Sequence, residues 1–113
     1  MQAARLRRSA DITLAREEGR SVRGVAFALR ARPNGMDVVR IAVSAPRMVG
    51  GGVQRNRARR RLREAFRIAV AGRKAGLGAD LLVTARREAL DTEFARLRGG
   101  ARDALEAAMG PDT

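Results

Sequence analysis

The chemistry open to this chain is the chemistry of arginine. Its 113 residues include no histidine, cysteine, tyrosine or tryptophan. That removes the usual general base near neutral pH, the thiolate nucleophile and most transition-metal ligands. Twelve carboxylates face 24 basic residues, all arginine except Lys74, and the net charge is +12. The closest carboxylate pair, Glu17-Glu18, consists of helical neighbours that do not converge on one point. Asp80 opens an apolar stretch, where a structural hydrogen bond is expected of it. Lys74 sits among Arg73 and glycines, a poor place to desolvate a Schiff-base amine. The chain is therefore expected to bring no catalytic group of its own. Charge density on this scale points to a nucleic acid first and an anionic membrane surface second.

The charge is patterned. Arg55-Asn56-Arg57-Ala58-Arg59-Arg60-Arg61-Leu62-Arg63-Glu64-Ala65-Phe66-Arg67 places seven arginines in thirteen positions. At about 100° per residue, Ala58, Leu62, Ala65, Phe66, Ala69 and Val70 fall on one arc, and the arginines cover the rest. Arg59, Arg63 and Arg67 form one i,i+4 row, where like charges repel by roughly 0.2–0.5 kcal/mol per pair. Only Glu64 relieves them, so a polyanion is expected to cover this face. Gly50-Gly51-Gly52 before the helix resembles a phosphate loop but lacks the Gly-Lys-Ser/Thr that such a loop needs; a hinge is the expected role. Phe27, Phe66 and Phe94 lie on the apolar phase of their elements and are expected in the core. That argues against folds that stack bases on exposed rings. A ribosomal or other structural RNA-binding protein is the main alternative. A DNA-binding module follows, without a helix-turn-helix pattern to support it.

The elements that must hold these residues can be read in order. Residues 1–8 form a basic, frayed arm without the apolar segment of a signal peptide. Ser9 caps a helix from Ala10 to Glu18, closed by Gly19, with Leu6, Ile12 and Ala15 turned inward. Residues 21–32 make a strand, bulged near Gly24, with Arg30 and Arg32 on one side. Pro33-Asn34-Gly35 turns the chain into a second strand through Val39, Ile41 and Val43, completing a hairpin that shows Arg30, Arg32 and Arg40 on one face. A loop over 45–52 leads into the arginine helix, from about Val53 to Ala71. Ala79–Ala85, almost unbroken in its apolar character, suits a strand covered on both faces. Asp91 or Thr92 caps a last helix through Phe94, Leu97, Ala101, Ala104, Leu105 and Ala108, and 110–113 form a tail. The result is one α+β domain over residues 1–113, with helices on a small, mainly antiparallel sheet. No apolar run approaches the ~18 residues of a membrane span. The absence of cysteine suits a reducing, cytoplasmic setting.

Taken together, these residues resemble the ribonuclease P protein family. The Arg-Asn-Arg helix from Arg55 to Arg67 carries the resemblance. Leu6-Arg7-Arg8 with Ala10-Asp11, Arg40–Ser44 with Val49-Gly50, and Asp80–Val83 with Ala85-Arg86 extend it over about Leu6 to Met109. It implies a small α/β sandwich of the ribosomal protein S5 domain 2-like kind, with a left-handed crossover through the arginine helix. It implies an accessory subunit beside a catalytic RNA that removes the 5′ leader of precursor tRNA, with Mg2+ held mainly by the RNA, in a monomeric 1:1 ribonucleoprotein. It assigns Arg55, Asn56, Arg57, Arg59, Arg60, Arg61, Arg63 and Arg67 to the catalytic RNA, and Ile12, Arg16, Arg30, Arg32 and Arg86 to a cleft for the leader. The family often carries aromatic residues where this chain has Ile12, Arg16 and Arg30, so phosphate contact or arginine stacking takes their place. Ala45-Pro46-Arg47-Met48 makes the loop before the helix two residues longer than usual in the family.

Overall fold

The most apolar stretch of the sequence takes the middle of the sheet. In a computed structural model, which describes residues 1–74 and 76–111, Ala79–Ala85 forms strand β5. Six of its seven residues are buried, as a strand covered on both faces requires. The preceding elements are β1 (Gln2–Arg5), α1 (Ser9–Glu18), β2 (Arg20–Arg23), β3 (Phe27–Pro33), β4 (Val38–Ser44) and α2 (Gly52–Ala71); α3 (Phe94–Met109) follows. Single 3-10 turns lie at Arg47–Val49 and Arg87–Leu90. The sheet order is β1-β4-β5-β3-β2.

This order corrects the expected hairpin. Pro33-Asn34-Gly35 does turn the chain, with Asn34 Oδ1 accepting the Met36 N–H at 2.9 Å. Yet β3 and β4 do not pair with each other. β5 lies between them, antiparallel to β3 and parallel to β4. The reason is burial: six of the seven β5 residues are buried, whereas β3 and β4 carry arginines on one side. Gly78 admits β5 to this place. Its N–H reaches Met36 O at 2.7 Å, and an added Cβ would stand 2.0 Å from Val38 O.

The N-terminal segment is a second correction. Rather than fraying, Gln2–Arg5 pairs in parallel with Val38–Ile41, and the Met1 ammonium donates to Arg73 O at 2.6 Å. A third lies at Gly24, where the expected bulge is the turn of a β2–β3 hairpin, closed by Gly24 N–H to Phe27 O at 2.9 Å. Helix starts also differ: Arg8 and Glu93, not Ser9 and Asp91 or Thr92, occupy the N-cap positions. Gly110 is tied in by its N–H to Glu106 O and by its own carbonyl, which accepts from Arg73. Pro111 of the expected tail is exposed, and residues 112–113 lie outside the described residues.

Alternation divides the sheet into two faces. Phe27, Leu29 and Ala31 of β3, Val39 and Ile41 of β4, and Leu81 and Val83 of β5 point into the main core. There they meet Ala58, Leu62, Ala65, Phe66 and Val70 of α2 and Leu97, Ala101, Ala104 and Leu105 of α3. Phe27 and Phe66 meet edge to face, centroids 5.0 Å apart, the arrangement their quadrupoles favour. The apolar arc read from the sequence is thus the buried seam of α2. On the opposite face lie Arg30, Arg32, Arg40, Asp80 and Leu82, and α1 covers one end of it. Among the described residues no helix is long and apolar enough to cross a membrane.

Candidate nucleic-acid interface

Two surfaces concentrate arginine. The first is the back of α2, opposite its buried seam. Its entry is fixed locally: Gly50 adopts φ +144°, open to glycine and hostile to other residues. Gln54 Oε1 then accepts the Gly51 N–H at 2.8 Å, satisfying one orphan donor of the helix start. Arg55 donates from Nε to Ala45 O at 2.8 Å, fastening the 45–52 loop to the helix.

The remaining arginines divide by position around the helix. Arg61 turns toward the neighbouring 3-10 turn, donating to Ala89 O at 2.9 Å and to Thr92 O. Arg57 approaches Leu90 O at 3.5 Å. These contacts clamp the segment before α3 to α2. Arg67 is paired with Glu64 at 2.5 Å. Arg59 contacts Asn56 Oδ1. Val53, Asn56, Arg59, Arg60 and Arg63 line a shallow open depression, with Val53 83 % exposed beside the charges. Arg63 Nε is buried there without a hydrogen-bond partner. Burial, then the nearby charges of Arg5 and Arg59, push the Arg63 guanidinium below the usual arginine value. A charge held so, with an unsatisfied donor, is relieved by an incoming anion. Arg5 was not foreseen. Its strand brings it to this face, and nothing in residues 1–8 signals that strand.

The second surface is the sheet face beside α1. Arg30, Arg32 and Arg40 do share it, although not on a hairpin. Among the described residues Asp80 is the one buried charged side chain, 2 % exposed. It accepts from Arg40 Nε at 2.7 Å and Nη2 at 2.6 Å, and from Asn34 Nδ2 at 3.0 Å. The structural role expected of Asp80 is this bidentate lock, and its hydrogen bond holds Arg40 protonated more firmly than usual. Arg40 also meets Asp11 of α1 at 3.4 Å, and Arg32 meets Glu18 at 3.1 Å. Two of the three sheet arginines therefore moor α1 to the sheet.

Arg30 is exposed, 3.5 Å from Gly19 O. Arg86 is exposed at the other end of β3, 3.5 Å from Gly24 O. Between them the half-buried floor is Ala28, Ala42 and Thr84. Ile12 is half-buried and Arg16 exposed on α1, one turn apart. The floor is of small side chains, and positive charge stands at its ends. Phe27 and Phe66 are fully in the core; Phe94 is half-buried on α3, with the Arg98 guanidinium 6.0 Å over its ring. What both surfaces offer an anion is guanidinium rather than an exposed aromatic ring.

Comparison with known proteins gives one answer. The family model for ribonuclease P matches residues 1–109. A ribonuclease P protein component of Chloroflexus aurantiacus is 39% identical over 98 residues, spanning 86% of this chain and 71% of its own. That of Thermotoga maritima is 34% identical over 96 residues, spanning 82% and 77%. Among solved structures, the RNase P protein of Staphylococcus aureus superposes with TM-score 0.76 at 27% identity, covering 95% of this chain and 96% of its own. The RNase P protein from Thermotoga maritima gives 0.76 at 29%, covering 91% and 96%.

Proposed function

This chain belongs to the ribonuclease P protein family, and from that premise we propose how its two basic surfaces divide the work of the holoenzyme. The protein is an RNA-binding accessory subunit of the endoribonuclease ribonuclease P, acting with ribonuclease P RNA in tRNA 5′ processing. In our reading the back of α2 binds that RNA through Asn56, Arg59, Arg60 and Arg63, with Arg57 and Arg67 at the margins. Arg55 and Arg61 act on the same contact indirectly, by fixing the loop before α2 and the turn before α3. The observation that carries this is Arg63: a partly buried guanidinium with an unpaired Nε and two cationic neighbours.

The cleft beside α1 takes the 5′ leader of precursor tRNA. Arg30 and Arg86 contact leader phosphates, Arg16 reaches from α1, and Ile12 lies against a ribose or base. Arg32, paired with Glu18, positions α1. The small floor of Ala28, Ala42 and Thr84 lets a strand approach the sheet closely, without rings to stack on its bases. Catalysis belongs to the RNA, and Mg2+ with it. Among the described residues no three His, Cys, Asp or Glu side chains come together to hold a metal. Asp11 and Asp80, which converge on one point, are both taken by Arg40. We place one protein per RNA, in the cytoplasm where precursor tRNA is processed.

Affinity of the reconstituted holoenzyme for precursor tRNA with and without its leader tests the second assignment. Arg30→Ala with Arg86→Ala should weaken binding of leader-bearing substrate and leave mature tRNA binding unchanged. Equal weakening of both, or of neither, removes the leader from this cleft.

A further inference from the structure

A groove along the α2–α3 seam lies beyond either surface. Its volume is about 560 Å3, and Ile68, Ala69, Arg73, Arg98, Gly99 and Arg102 are among the residues that line it, within the size range of a small-molecule site. Three guanidinium groups stand around it against one carboxylate, Glu106. Arg73 spends Nη2 on Gly110 O at 3.0 Å, while its Nε is buried with no partner. Among the described residues, Arg102 meets the exposed Asp103 at 3.5 Å. Gly99 weakens the middle of α3 without a packing reason: an added Cβ there would meet nothing within 4 Å.

The seam is continuous with the arginine face. Nearer the start of α3, Arg57, Arg60, Arg61, Phe94 and the single carboxylate Glu64 border a smaller depression on the same seam, and Arg98 lies over Phe94. A path of positive charge thus leads from the back of α2 into the groove. Its apolar wall from Ile68 and Ala69 suits a base or ribose.

Building on the assignment of α2 to the RNA subunit, we propose that this groove is a second RNA subsite. It takes one or two unpaired nucleotides of ribonuclease P RNA, with phosphates on Arg98 and Arg102 and a base against Ile68 and Ala69. Because the chain lacks cysteine, Gly99→Cys and Val53→Cys each give a single attachment point for a thiol-linked aryl azide. In complexes with ribonuclease P RNA and precursor tRNA, position 99 should cross-link to ribonuclease P RNA at nucleotides distinct from those reached from position 53. Cross-links from 53 but none from 99, or from 99 only to precursor tRNA, overturn the subsite and leave the α2 assignment standing. No cross-link from either position overturns both. In parallel, Arg98→Ala with Arg102→Ala should reduce the slope of log K against log salt by about 1.4, roughly 0.7 per lost single-strand phosphate contact. An equal reduction from Arg20→Ala with Arg23→Ala, on β2 and lining neither depression, would show diffuse charge and overturn the proposal.

Discussion

Replacing Asp80 by Asn keeps the shape of the side chain and removes the charge that Arg40 is built around. The carboxylate is 3 % exposed and the guanidinium 23 %, at 2.6 Å. Removing one partner of a buried pair costs about 3–5 kcal/mol, because the other charge is stranded. Arg40 is not wholly stranded: it keeps some water and Asp11 at 3.4 Å. The expected loss is therefore about 2–3 kcal/mol, below the fully buried range. At about 4 °C per kcal/mol for a chain of this size, Tm should fall by roughly 8–12 °C. Urea unfolding at pH 7 should show a lower midpoint at unchanged m. Arg40→Met with Asp80→Leu, which removes both charges, should recover most of the loss. The functional consequence follows from Asp11: with Arg40 displaced, α1 loses a mooring, and leader affinity should fall more than affinity for ribonuclease P RNA. A loss below about 0.5 kcal/mol, the range of an ordinary surface substitution, would refute the claim that this pair fixes α1 on the sheet.

Three further outcomes separate binding from folding. Arg59→Glu with Arg63→Glu should leave Tm nearly unchanged while weakening RNA binding and flattening its salt dependence, whereas Leu62→Ala or Phe66→Ala, in the core, should cost about 2–5 kcal/mol; thermal melts beside filter binding distinguish them. Arg61→Ala should behave like the core variants, losing about 1.5–3 kcal/mol with its charged hydrogen bonds to Ala89 O and Thr92 O, and a purely RNA-binding defect at normal stability would contradict that role. The hydrogen bond from Arg67 holds the Glu64 carboxyl below the usual carboxylate range, so stabilisation by the pair is present at neutral pH and fades as pH falls through that lowered value; an NMR titration of Glu64 should show its pKa rising in Arg67→Ala.

Much of the fold was legible wherever one residue's periodicity decides its own environment. The seam and back of α2, the doubly covered β5 and the burial of Phe27 and Phe66 all follow from phase. Pairing was not legible, because period-2 alternation says which face a strand shows and not which strand lies beside it. Pro33-Asn34-Gly35 is a true turn, yet β5, distant in sequence, enters between the strands it joins. β1 has too few apolar residues to announce itself, and Arg5 reaches the arginine face only through it. The arginines show the same limit. Arg60 and Arg61 are neighbours of like chemistry, but only the packed position of the turn before α3 sends Arg61 to backbone carbonyls. Likewise, nothing local to Arg32 and Arg40 announces the carboxylates of Glu18, Asp11 and Asp80 that the fold places beside them.

Labour in the holoenzyme is divided: this protein supplies positive surface and an RNA performs the cleavage. Its most direct test is leader removal from precursor tRNA at low Mg2+, with ribonuclease P RNA alone, protein alone and the two together. The combination should cleave faster than the RNA alone, and the protein alone should leave the precursor intact. Cleavage by the purified protein without RNA, or no gain on adding it to the RNA, would contradict that division.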